Sequence, residues 1–194
     1  MISNRPLDSK VETVVTNWLS TYYFSKIFNQ HRVVTEKHLQ CLGVDIQADL
    51  KNYDIKAQAS KKYLNNPTNT FSVEISFINR DREENIGWFI NPNLATDAYI
   101  FVWIPECEHD DGMITDINKV EAMIVDKSKL ITAVAKEFSS YGETSLNLAS
   151  RMRATAQTPV WVNSLKFVCS LQLAEQPVNI VLKKDFLKKF DREY

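Results

Sequence analysis

Near the start of the chain apolar residues recur at helical spacing. Val11, Val14, Val15, Trp18, Leu19 and Tyr22 share one face, which predicts an amphipathic helix running to about Phe28. Ser9-Lys10-Val11-Glu12 at its head reads as a capping box. After a polar link the pattern changes to two strands, residues 44–47 and 53–59, joined by a tight turn near residues 49–52 and followed by an Asn-Asn-Pro break. In "TNTFSVEISF" Phe71, Val73, Ile75 and Phe77 alternate with Ser72, Glu74 and Ser76, the period of a strand with one buried face. A charged turn, "RDREEN", leads to "IGWFI", a second turn at Asn91-Pro92-Asn93, and then "AYIFVWI". That last run is apolar on both faces, as expected of a strand covered on both sides. Beyond it "PECEHDDG" reads as an acidic loop. Asp126 or Ser128 starts a helix whose Leu130, Ile131, Val134 and Phe138 share a face, strands follow in "VWVNSLKFVCSL" and "VNIVL", and a basic helix over residues 184–190 closes the chain.

Helix, strand meander, then helix and strands predicts an α+β or α/β fold built around one mixed sheet flanked by helices. No linker interrupts the 194 residues, so one domain spanning 1–194 is expected. The composition, 44% hydrophobic and 24% charged, is that of an ordinary globular chain. The longest apolar run is far shorter than a membrane span and the first residues lack a basic-then-apolar leader pattern, so no membrane partner and a cytoplasmic location are expected. Cys41, Cys107 and Cys169 are odd in number and have no CxxC spacing, which points to reduced thiols used in packing. A formal charge of −1 means that any surface for phosphates must be local. The basic segments that could supply it are Lys61-Lys62, Arg80 with Arg82, Arg151 with Arg153, and the tail lysines Lys183, Lys184, Lys188 and Lys189. Each taken singly also reads as a solvated face.

One polar cluster stands out against this background. Strand alternation puts Asp54, Lys56 and Gln58 on one face and Ile55 and Ala57 on the other. With an even hairpin loop centred between Leu50 and Lys51, Asp45 falls opposite Lys56 and joins them; an odd loop or a bulge would turn it away. Two neighbouring carboxylates call for a cation, and all-oxygen ligands with room for water suit Mg²⁺ or Mn²⁺. Such an ion beside an ammonium group fits phosphodiester hydrolysis. An exposed hairpin with the same residues on its solvent face would look identical in sequence.

Asp45, followed by Asp54-Ile55-Lys56 on the next strand, resembles the PD-(D/E)XK signature of restriction-endonuclease-like nucleases. The run GVD, DIKAQ, TFSVEISF, GWF and TDAY is similar to a bacterial branch of that superfamily, over residues 36–105. Val44 stands where the motif name has proline. The resemblance implies a central mixed sheet flanked by helices, Asp45 and Asp54 as metal ligands, Lys56 positioning the nucleophile, Gln58 supporting the site, and DNA as substrate; whether a homodimer forms to cut both strands is left open by the sequence. Glu12 resembles the helical acid that assists the metal in many relatives, although the capping box explains it equally well. Glu74 is either a further metal-side acid or an exposed strand residue.

The chain has no Walker loop, GxGxxG, HExxH or GxSxG, and Cys107-Glu108-His109 has no second pair to complete a zinc set. His31 and His38 read as surface residues, and Trp88 and Trp103 as core rather than base-stacking platforms. Two functions remain: a Mg²⁺-dependent endonuclease, or a nucleic-acid- or partner-binding protein on the same fold without turnover.

Overall fold

The computed structural model describes residues 5–58 and 60–191. Its first helix, α1, spans Arg5–Leu19 and continues through a π-helical turn, Ser20–Phe24, into a short α2, Ser25–Ile27. Val11, Val15 and Leu19 are buried at the expected spacing, but the next buried residues are Phe24 and Phe28. The π turn adds one residue to the helical repeat and so rotates the apolar face. Tyr22, expected on that face, is 57% exposed, and Phe24 takes its place. Because α1 already begins at Arg5, Ser9 lies inside the helix, so the expected capping box is not the helix start.

The remaining elements form two five-stranded sheets where one mixed sheet was expected. Strands β1 (His31–Val33), β2 (Ile46–Ala48), β3 (Lys51–Ala57), β6 (Ala98–Asp110) and β7 (Met113–Asp126) lie in that order in the first sheet. Only β3 and β6 run parallel in it. The second sheet is antiparallel, ordered β5 (Glu84–Ile86), β4 (Thr70–Ile78), β10 (Val178–Lys183), β9 (Leu165–Cys169) and β8 (Val160–Val162). The strand in "TNTFSVEISF" therefore leaves the sheet of the hairpin. Its alternation holds through Phe71, Val73 and Ile75 and then slips where the pairing with β10 shifts, so Ser76 is buried in place of Phe77.

The expectation of burial on both faces is met in β6, whose residues 98–104 are all buried. Ala98, Ile100, Val102 and Ile104 pack with Val11, Val15 and Leu19 of α1, while Tyr99, Phe101 and Trp103 pack with Phe71, Val73 and the second sheet. The Phe71 ring lies 4.7 Å from that of Phe101 and edge-on to Trp103 at 5.7 Å. Burying each such side chain contributes about 1.5–3 kcal/mol.

The expected acidic loop is instead the tip of the long β6–β7 hairpin. Asp111 (φ +46°) and Gly112 (φ +90°) form its turn, the Asp-Gly pair that two-residue hairpins favour. Helix α3 spans Lys37–Cys41, and α4, Lys127–Phe138, is capped by the Asp126 carboxylate accepting from the Ser128 and Lys129 N–H groups. Helix α5 (Ser145–Thr155) follows, and α6 (Lys184–Lys188) corresponds to the closing basic helix. Cys107 and Cys169 are buried but Cys41 is exposed; all three are free. Among the described residues no helix is long and apolar enough to cross a membrane.

Candidate active site

The site begins with the β2–β3 hairpin. Its two-residue turn, Asp49 (φ +45°) and Leu50 (φ +65°), sets Ile46 opposite Tyr53 and Ala48 opposite Lys51. The loop is even, as expected, but the register differs by two residues, so the ladder points Asp45 toward Asp54 and not Lys56. The ladder breaks at Asp45. Its N–H donates to the Tyr53 carbonyl at 2.9 Å, one residue short of strict register, while its own carbonyl accepts from Val34 N–H at 2.8 Å. The Asp45 side chain fills the gap this leaves, Oδ2 accepting the Ile55 N–H at 2.8 Å. Asp54 is 2% exposed, with its Oδ1 2.8 Å from the Lys56 Nζ. That ammonium also lies 4.9 Å from the centre of the Trp88 ring.

Burial, reinforced by the charge of Asp45, pushes the Asp54 carboxyl up to about 7 against the opposing pull of Lys56. Burial alone would lower the Lys56 ammonium, but Asp54 more than offsets it, and Glu12 and Asp45 add to the rise above the usual lysine range. Tyr99 is the parallel neighbour of Asp54. Its phenol is held far above its usual range by burial and by the charge of Asp54, and donates to the Phe89 carbonyl at 3.2 Å.

Asp45, Asp54 and Lys56 line a pocket of about 410 Å³, whose opposite wall is Glu12, Thr16 and Asn17 of α1. Since Ser9 does not start the helix, the capping box no longer accounts for Glu12. Lys37 and Gly43 also line this pocket and were missed from sequence. Gly43 is held at φ +72°, and a Cβ there would lie 2.8 Å from Thr96 Oγ1 and 3.7 Å from Asp54 Oδ2. A glycine just past a short helix is the signal that would have found it.

The other candidates lie elsewhere. Gln58 lines an adjoining pocket of about 320 Å³ that shares Glu12 with the first. Its amide bridges the sheets: Nε2 donates to Thr68 Oγ1 at 2.7 Å and to the Thr70 carbonyl at 2.5 Å, and Oε1 accepts from Thr68 N–H at 3.0 Å. Glu74 is on the second sheet and lines neither of these two pockets. Arg80 and Arg82 occupy the turn beyond the far end of β4, about 30 Å of strand from Thr70 at ~3.3 Å per residue. Arg151 pairs with Glu143 at 2.6 Å, and Arg153, with a side chain only 8% exposed, pairs with Glu84 at 2.6 Å. Lys61 pairs with Asp111, and Lys62 lies over the Tyr63 ring. These basic residues do not surround one concavity: Lys61 and Lys62 precede Tyr63 of the second pocket, Arg151 and Arg153 on α5 are paired with Glu143 and Glu84, and Arg80 and Arg82 stand in the turn after β4. Among the described residues no three acidic, His or Cys side chains gather tightly enough to hold a metal by themselves.

Comparison of the chain with family models, curated proteins and solved structures finds no match.

Proposed function

We propose that the Asp45–Asp54–Lys56 pocket hydrolyses phosphodiester bonds with Mg²⁺ or Mn²⁺, on DNA, and that α1, the β2–β3 hairpin and β6 are the core of a restriction-endonuclease-like fold. The observation that carries this reading is the buried carboxylate of Asp54, raised by burial and by Asp45 and facing a pocket beside a lysine. Such a carboxylate is better served by a cation than by a proton at neutral pH. Two carboxylates suffice for Mg²⁺, which retains several waters and takes its other ligands from a substrate phosphate, so the lack of a third tight acid is compatible with it.

Asp45 and Asp54 would hold the ion, with Glu12 beside them across the pocket. The Ile55 carbonyl, turned by the strand to the same side as the N–H that Asp45 accepts, is a further oxygen at that edge. When bound, the ion polarises the phosphoryl oxygen and lowers the pKa of a water. Lys56 Nζ, 2.8 Å from Asp54 Oδ1, would orient the attacking water and offset charge developing on the phosphate. Trp88 covers that ammonium and limits its reach. Gln58 acts indirectly by tying the end of β3 to β4.

The commitment of Arg151 and Arg153 to internal partners favours a second reading, a binding protein on the same fold without turnover. Nicking of supercoiled plasmid, and cleavage of single-stranded DNA and RNA, with Mg²⁺, Mn²⁺ or EDTA separates the two. The hydrolase reading expects metal-dependent cleavage that Lys56→Ala and Asp54→Asn reduce by at least about a hundredfold. Activity unchanged in Lys56→Ala, or absent from the wild type on plasmid and genomic DNA alike, overturns it.

A further inference from the structure

The two pockets are neighbours. Asp54 and Lys56 face the first, Ala57 and Gln58 the second, and Glu12 borders both. The second has a different chemistry: its lining includes Tyr63 and the hydroxyl residues Ser60, Thr68, Thr70 and Ser72, and among the described residues its one charged group is Glu12 at the junction. A pocket lined mainly by hydroxyl groups, with Tyr63 in its wall and a volume of about 320 Å³, suits a base and its sugar and offers little to a bare phosphate. Lys62, beside Tyr63 in the chain, holds its Nζ 4.5 Å from the centre of the Tyr63 ring.

A duplex presents two lines of phosphates and needs cations on both flanks. Here Lys61, Arg151 and Arg153 are paired with acids, and Arg80 and Arg82 lie at the other end of β4. We propose that the second pocket is a base-binding subsite and that the chain acts on single-stranded nucleic acid, threaded from Tyr63 past Glu12 to Lys56. The proposal rests on the phosphodiester reading of the first pocket. Only one strand fits a path set by two adjoining pockets, and stacking on Tyr63 supplies affinity that the acid-paired Lys61, Arg151 and Arg153 do not.

Fluorescence anisotropy of short labelled single strands, DNA and RNA, and of a hairpin duplex of the same sequence tests this on the Lys56→Ala protein with Mg²⁺. Single strands are expected to bind about tenfold tighter than the duplex; adding Tyr63→Ala weakens them about tenfold, whereas Tyr63→Phe does not. Arg80→Ala with Arg82→Ala leaves binding unchanged. Duplex binding as tight as single-strand binding, indifference to Tyr63→Ala in a protein whose thermal unfolding is unaltered, or a loss in the arginine double variant overturns the subsite. Binding that follows Tyr63 while the wild type cleaves nothing removes the hydrolysis reading and leaves the subsite standing. Cleavage confined to duplex does the reverse.

Discussion

At the scale of single residues, the site is a contest between burial and charge at Asp54. Its folded pKa of about 7 lies above the ordinary carboxylate value of 3.8, so the folded state binds more protons than the unfolded one between those values. Stability contributed by this group therefore falls as pH rises from about 4 to about 7 and is level above that. Lys56 has the same sign in a higher window: its raised pKa contributes stability that is complete at neutral pH and lost only at strongly alkaline pH. Urea unfolding at about pH 5 and pH 8 should show the wild type losing stability across this interval, and Asp54→Asn losing less. Cation binding must displace the proton, so thermal stabilisation by Mg²⁺ should be greater at about pH 8 than at about pH 6, with proton uptake by the buffer in calorimetry at the lower pH. No pH dependence of that stabilisation would argue that Asp54 is not a ligand. The pairing also sets what Lys56→Ala should do to stability. The change leaves Asp54 without its cation, and Asp54 can protonate to meet the loss, so the expected cost is under about 1 kcal/mol at pH 6 and about 2 kcal/mol at pH 8.

At the scale of elements, two local irregularities set the site. The π turn in the first helix lets one continuous apolar face end on Phe24 and Phe28, and Phe28 packs 5.0 Å from the ring of Tyr53 on β3. The hairpin turn fixes the register that presents Asp45 to the Ile55 N–H, and it does so with residues poorly suited to it. Leu50 is fully exposed at φ +65°, where a leucine is strained and buries nothing. Leu50→Gly should raise stability by about 0.5–1 kcal/mol, measured by chemical denaturation, and leave cleavage unchanged because the register is kept. Asp49, in contrast, accepts from the Gln30 N–H at 3.2 Å and joins the turn to the end of the helical segment.

At the scale of the whole molecule, the two sheets are joined through a shared core and through a few polar struts. Gln58 ties β3 to β4, and Arg153 on α5 reaches Glu84, Ser76 Oγ at 3.1 Å and the Gln176 carbonyl at 2.9 Å. Removing a nearly buried arginine takes the charged donor from Glu84 and the guanidinium N–H from the Gln176 carbonyl, although the Ser76 and Ser150 hydroxyls still donate to Glu84. Arg153→Ala is therefore expected to cost about 2–4 kcal/mol in denaturant unfolding while leaving single-strand affinity within about twofold at a temperature where the variant is folded. A large fall in affinity with unchanged stability would return Arg153 to the nucleic-acid surface.

The chain by itself determined the elements whose burial is one-sided or complete over several residues. The first helix, the alternation in β4 as far as Ile75, the two-faced run of β6 and a helix start at Asp126 or Ser128 all follow from side-chain period and local hydrogen bonding. The same parity put Asp54 and Lys56 on one side of β3. Other features were settled by contacts between residues far apart in sequence. That β4 pairs with β10, and so carries Glu74 away from the site, depends on strands about a hundred residues apart, to which a local pattern is blind. Tertiary partners likewise turned Arg151 and Arg153 inward toward Glu143 and Glu84, since a charge run in sequence carries no record of the acid it will meet. The two-residue difference in hairpin register has the same origin. Parity is set by the even turn, but the choice among registers of that parity comes from Val34, Tyr53 and Ile55 claiming the backbone and side chain of Asp45.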